Sequence, residues 1–344
     1  MREHLSVRSF EVRGDGGEPG GGDIPDSGER ARTRYGLEEG VKVRYLLDFL
    51  IFPGFLFTAI VGLVASWVDR KLTARIQWRK GPPFLQPFYD ILKLLGKEVI
   101  VPEGSKGTGF LTAPLIGLAG VTLVSTILWG ANLWEKAFVG DLIVVIYLLT
   151  LPSLAVILGG AASGNPISGL GASREMKLLL AYELPFLLAI ATAIVKLGGS
   201  LRLTDYTETL VVGNVSGIIA FVVTLLCAQA KLGLVPFDIP EAEQEIMGGP
   251  LIEYSGAPLA AFKLTKAMML FVLPMFLITV FLGGVHLQGI HILWGILKYV
   301  GILVVVVLLR NTNPRLRIDQ AVRWFWGPWT VLALVGVVLA LLGY

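Results

Sequence analysis

The sequence predicts an all-α polytopic membrane protein with about eight transmembrane helices. Hydrophobic residues make up 54% and charged residues 16% of the 344, with a mean hydropathy of +0.70, far from the usage of soluble domains. Apolar runs of about twenty residues recur, each long enough to cross a hydrocarbon core of roughly 30 Å as a helix. Basic residues gather in alternate connections, as the positive-inside rule requires. An open sheet would leave its edges without hydrogen bonds in lipid, so a helical bundle is the fold expected.

Residues 1–42, which include Gly16-Gly17-Glu18-Pro19-Gly20-Gly21-Gly22, read as a disordered hydrophilic tail without the apolar region of a signal peptide. Residues 43–344 read as one transmembrane helical domain. Spans are expected at 45–68, 110–133, 142–160, 178–197, 212–231, 259–284, 290–309 and 325–343. The first connection carries Arg70, Lys71, Arg75, Arg79, Lys80, Lys93 and Lys97, and later ones on that side carry Arg174, Lys177, Arg315, Arg317 and Arg323. The opposite connections hold Lys136 and Arg202. The basic side is therefore expected in the cytoplasm, with both termini outside. Trp129, Trp134, Trp324, Trp326 and Trp329 are expected as anchors at headgroup level. Between residues 87 and 98, Phe88, Ile91, Leu92 and Leu95 share a helical face, as in an amphipathic helix lying on the membrane surface.

Several function classes drop out. A net charge of +3 without an aromatic-interleaved basic patch gives no reason to propose a nucleic-acid partner. The single cysteine, Cys227, lies in an apolar run and excludes disulfide, zinc-finger and iron–sulfur spacings. His286 and His291, on the outer side, have no carboxylate companion and His4 lies in the tail, so no metal site is expected in this chain. No internal repeat of the kind that builds many secondary transporters is evident.

Four segments depart from bland membrane composition. The first, Asp69 to Pro83, sets five basic residues before a Gly81-Pro82-Pro83 break, a stiff turn that reads as a docking loop or as an orienting stop. The second runs from Pro236 through Asp238, Glu241, Glu243 and Glu245 to Glu253-Tyr254-Ser255-Gly256. There Asp238 is positioned to cap a short helix with Glu241 three residues on, and Glu241 and Glu245 would share a face. These carboxylates must repel one another unless protonated or paired with the basic loops. The third is Tyr182-Glu183 inside the fourth span, where a carboxylate is costly and marks a functional position. Lys196, Lys263 and Lys266 read as snorkelling anchors. The fourth is Asn313 to Gln320, with Arg315, Arg317 and Asp319.

In these segments the sequence resembles the membrane component of the complex I superfamily known as the H subunit in bacteria and as subunit 1 in mitochondria. The matches are Ala74-Arg75-Ile76-Gln77 with Arg79 and Gly81-Pro82, Leu85-Gln86-Pro87 with Asp90 and Lys93-Leu94, and Tyr182-Glu183. Pro236-Phe237-Asp238 with Pro240-Glu241-Ala242-Glu243, Glu253 to Gly256, and Arg315 to Gln320 complete them. Quinone-reducing members usually read Gly-Pro-Asn at the turn, whereas Gly81-Pro82-Pro83 is similar to membrane-bound energy-converting hydrogenases and the archaeal sulfane sulfur reductase.

The resemblance implies a multi-pass subunit of the cytoplasmic membrane that docks a peripheral redox arm and couples electron transfer to proton or sodium translocation. It implies an ion or proton route through Tyr182, Glu183, Asp238, Glu241, Glu243, Glu245 and Glu253. Docking falls to Arg75, Arg79, Asp90, Lys93, Arg315, Arg317 and Asp319. Iron–sulfur clusters, and a nickel–iron centre in the hydrogenase type, belong to partner subunits, with antiporter-like membrane subunits alongside. No catalytic residue and no cofactor is assigned to this chain. The other readings are a quinone-binding H subunit and an autonomous cation transporter.

Overall fold

A computed structural model describes residues 46–286 and 289–344; the 1–42 tail lies outside them. The described chain is helical with loops and turns between. Among the described residues, seven helices are long and apolar enough to span a membrane. They are α1 (Leu46–Ile76, interrupted at residues 51–54), α3 (Gly107–Trp134), α4 (Asp141–Ala162), α5 (Pro166–Lys196), α7 (Gly256–Phe281), α8 (His291–Thr312) and α9 (Ile318–Leu341). An eighth apolar helix, α6 (Val215–Lys231), is shorter, and α2 (Gln86–Leu95) lies in the first connection.

Helix α7 is the axis of the bundle: 89% of its most apolar stretch is buried. Helices α1 and α3 pack on it, α4 packs on α3, and α5 is flanked by α6 and α9. Close approach relies on small residues. A Cβ on Gly62 of α1 would stand 2.6 Å from the Ala267 carbonyl oxygen of α7, and one on Gly120 of α3 2.8 Å from the Leu151 side chain of α4.

Helix α5 begins at Pro166, well before the position the hydropathy profile indicates. Asn165 caps it by accepting the Ile167 N–H at 2.8 Å, with Pro166 at the first helical position, the most favourable start a helix has. Arg174, Glu175 and Lys177 are consequently helical rather than part of a loop. At 31 residues the helix is roughly 46 Å long and exceeds the hydrocarbon core, so its first turns run beyond the apolar region.

Trp129 is not an interfacial anchor. It is buried against Phe57 and Phe271, with centroids at 5.5 and 6.3 Å. In α2, Pro87 is buried and Ile91 half-buried, while Leu92 and Leu95 stay exposed. The helix thus turns a narrower face to its neighbours than the apolar pattern indicates.

Gly171 of α5 lies against the turn that carries the acidic segment: a Cβ there would meet Pro250 Cδ at 2.5 Å and Pro250 N at 2.7 Å. Gly171→Ala is expected to cost about 1–3 kcal/mol by overpacking. Gly169→Ala, two residues earlier in open space, is expected to be neutral or stabilising by roughly 0.5–1 kcal/mol. Thermal unfolding of the two variants side by side checks the contrast.

Candidate functional site

The acidic segment lies between α6 and α7, at the end of the bundle where α5 begins and α8 ends. Its carboxylates do not form a repelling cluster, because each of four is turned to a different partner. Asp238 pairs with Arg315 at 2.7 Å, Glu245 with Arg174 at 2.6 Å and Glu241 with Lys266, while Glu253 accepts from the Asn165 amide. Asp238 makes no side-chain cap, because its carboxylate is taken by the arginine. Glu241 and Glu245 do not share a face, since the short helical turns Ile239–Glu241 and Glu243–Ile246 are separated by the non-helical Ala242. Glu243 is exposed.

Two further pairs hold the first connection and α8. Arg70 bonds Asp90 at 2.9 Å, and Gln86 donates to the same carboxylate at 2.9 Å. Arg310 of α8 bonds Asp69 of α1. Together with the acidic segment these groups line a cavity of about 500 Å3. Its wall carries Asp69, Asp90, Asp238, Glu241 and Glu243 against Arg70, Lys263, Lys266, Arg310 and Arg315, a balanced set of opposite charges. One oxygen each of Asp69 and Asp238 is buried without a hydrogen-bond partner.

Deeper in the bundle, Glu183 is half-buried and pairs with Lys231, the last residue of α6, at 2.7 Å; the lysine side chain is 1% exposed. Its ammonium lies 4.9 Å from the centre of the Tyr182 ring and 4.6 Å from that of Phe186, within cation–π range. The Tyr182 hydroxyl is 3.2 Å from Ser153 Oγ of α4. Lys231 and Glu175 face a small cavity that shares Asp238, Glu241 and Lys266 with the larger chamber. The structure therefore brings Tyr182, Glu183, Asp238 and Glu241 into one connected region and adds Glu175, Lys231 and Lys266. Glu245 and Glu253 are tied to the start of α5, to one side of it.

Arg75, Arg79, Lys93, Arg317 and Asp319 are exposed and carry no ion pair to another described residue. The Arg317 N–H donates to Gln320 Oε1 at 3.1 Å and opens α9. The Gly81-Pro82-Pro83 turn is fixed by Trp67, whose Nε1 donates to the Pro82 carbonyl at 3.2 Å. Trp78 in the same connection is 97% exposed. Among the described residues, no group of three His, Cys, Asp or Glu side chains is placed to hold a metal ion.

Two carboxyls outside the spans shift in opposite directions. Burial pushes Asp238 up, and the attraction of Arg315 only partly offsets it. Partial burial also pushes Asp90 up, but hydrogen bonds from Arg70 and Gln86 outweigh it and hold its carboxyl below the usual range. By linkage, the contribution of Asp238 is fully present below its unfolded pKa and is lost as pH rises through the folded one. That of Asp90 is present above its unfolded pKa and lost as pH falls through the folded one. Arg315→Met removes the offset, so the carboxyl band of Asp238 in infrared titration is expected at higher pH than in the parent.

The chain matches the family described as NADH dehydrogenase over residues 49–341. It is 36% identical over 328 residues to the H subunit of the NADH-quinone oxidoreductase of Thermomicrobium roseum, covering 86% of this chain and 94% of that protein. It is 33% identical over 310 residues to the corresponding subunit of Brevibacillus brevis, covering 85% and 92%. Among solved structures it is similar to a chain of the membrane-bound sulfane sulfur reductase, an archaeal respiratory membrane complex. That match has a TM-score of 0.76 and 28% identity, and covers 88% of this chain and 99% of that one. A bundle of apolar helices with a charged chamber at one end, and relatives named as subunits of oxidoreductase complexes, lead to one assignment: the chain belongs to the NADH dehydrogenase subunit 1 family, which includes the bacterial H subunits.

Proposed function

We propose that this subunit docks a peripheral redox arm on its charged end and couples exergonic electron transfer there to ion movement across the membrane. The observation that carries this reading is the connected series of ionisable groups. It runs from the chamber, through Asp238, Glu241 and Lys266, past the small cavity to Glu175, Lys231 and Glu183. Charged side chains inside a bundle are costly and mark ion or proton pathways.

A docked arm would reach the chamber first. Arg75, Arg79 and Arg317 are exposed and have no partner carboxylate among the described residues, and Trp78 stands between the first two in sequence. Arginine and tryptophan are the residue types that anchor protein interfaces. Positive-inside topology sets this end in the cytoplasm, and with eight spans both termini fall outside. A change of charge in the arm would alter the balance of Asp238–Arg315 and Glu241–Lys266, and Glu183 would receive that change within the bundle. Iron–sulfur and nickel–iron centres are assigned to the partner subunits, and antiporter-like subunits to the continuation of the route.

The likeness to the sulfane sulfur reductase chain and the Gly81-Pro82-Pro83 turn support a reductase or hydrogenase type of complex. The cavity supports a second reading, a quinone site: about 500 Å3 lies within the usual range of small-molecule sites, and the curated relatives carry quinone in their names. Quinone retained by the purified complex would favour the second reading. The common core is tested by Glu183→Gln in the intact complex reconstituted into vesicles. Redox turnover is expected to persist while ion transport per turnover is lost. Full transport at full turnover would overturn the route.

A further inference from the structure

The small cavity measures about 40 Å3 and is lined by Ser153, Glu175, Lys231, Asp238, Glu241 and Lys266 among others. That is room for one or two water molecules between polar partners. On one side stands Lys231, bonded to Glu183 at 2.7 Å. On the other stands Glu175, eight residues before Glu183 on α5, which sets their Cα atoms on neighbouring faces roughly 12 Å apart along the axis. The remaining titratable groups at this place are already engaged: Lys266 with Glu241, Asp238 with Arg315, and the Tyr182 hydroxyl with Ser153. Cys227, on the same helix as Lys231, is buried. Lys231 thus lines the cavity beside Glu175 while bonded to Glu183, and a carboxylate left inside the bundle without a counter-charge is expensive.

We propose that Lys231 is a mobile counter-ion that exchanges between Glu183 and Glu175 and thereby couples their protonation. This rests on the charge route described above and names its switching element. In the first state Glu175 is a neutral acid, and Glu183 is ionised and paired with the ammonium, as in the structure. The O–H bond of the Glu175 carboxyl breaks and its proton enters the water of the small cavity; in concert Lys231, which lines that cavity, takes a proton from the water and gives one across its 2.7 Å hydrogen bond to Glu183, where the new O–H bond forms. The ammonium, having lost its partner, swings to the newly ionised Glu175. The three groups sum to zero charge before and after, no electron moves, and one proton advances from Glu175 to Glu183. Because a proton leaves Glu175 as one arrives on Glu183, the two carboxyls are not ionised together, and the return of the lysine resets the pair.

The test uses the intact complex. In a cryo-EM map of the Glu183→Gln complex, the Lys231 side chain is expected against Glu175; an ammonium still beside residue 183 overturns the exchange. In vesicles, Glu175→Gln is expected to lose ion transport per redox turnover as Glu183→Gln does. Should Glu175→Gln keep full transport while Glu183→Gln loses it, the exchange falls and the route stands. If both keep full transport, the route falls as well.

Discussion

Replacing Lys231 by methionine is expected to destabilise the subunit by about 3–5 kcal/mol, the range for breaking one side of a buried ion pair. The ammonium is shielded by protein, with 1% of the side chain exposed, so solvent does little to moderate the loss. Methionine fills the same apolar stem between the buried rings of Tyr182 and Phe186, which limits the cavity contribution. What remains is the uncompensated carboxylate of Glu183 inside the bundle. The double variant Lys231→Met with Glu183→Gln removes both charges and is expected to recover stability to within about 1 kcal/mol of the parent, since uncharged replacement of a buried pair is often neutral. Thermal unfolding of the purified complex reads both values. Transport is a separate quantity: the double variant assembles and does not couple. A pair that served only to hold α5 against α6 would recover transport together with stability.

The bundle itself was legible because apolar runs in lipid have one structural solution. Hydropathy located the spans from 110–133 to 142–160 within a few residues, and it erred where charge and helix coexist. Arg174, Glu175 and Lys177 lower the hydropathy of the first turns of α5, although Asn165-Pro166 already announced the start by its cap chemistry. Extending the helix back to that cap would have revealed Glu175, two turns before Glu183. The acidic segment was legible as a set of carboxylates in order. The destination of each was not, because Asp238, Glu241 and Glu245 choose partners from three different helices or loops. Lys231 and Lys266 were the hardest to find. A lysine at the end of an apolar run has the same local sequence whether it snorkels to the headgroups or turns inward, and only the tertiary placement of Glu183 and Glu241 decides. Trp129 failed for the related reason that an aromatic near a span end serves equally as anchor or core. For it, Phe57 and Phe271 decide.

Arg310→Met is expected to cost about 2–3 kcal/mol and to loosen α8 from the bundle. Asp69 is buried, and one of its oxygens has no hydrogen-bond partner even with the arginine in place, so losing Arg310 leaves a wholly unpaired carboxylate. The Arg310 side chain is 33% exposed, which places the expected cost below that of a fully enclosed pair. Helix α8 is vulnerable because only 28% of its most apolar stretch is buried. Apart from packing, it is held by Arg310, by Asn311, whose amide donates to Thr73 Oγ1 and whose Oδ1 accepts from Gln77, each at 3.2 Å, and by Gln229 of α6, whose Nε2 donates to the Val306 carbonyl at 3.4 Å. At its other end Lys298 donates to the carbonyls of Leu282 and Gly284 at 2.6 and 3.2 Å. Those contacts lie far from Arg310, so the loss is local to the end that walls the chamber. Hydrogen exchange is therefore expected to rise in the last turns of α8 and the facing turns of α1, with α6 and α7 unchanged. Adding Asp69→Asn removes the stranded charge and is expected to restore most of the protection. Protection that stays low in the double variant would mean that the arginine holds α8 through contacts other than Asp69.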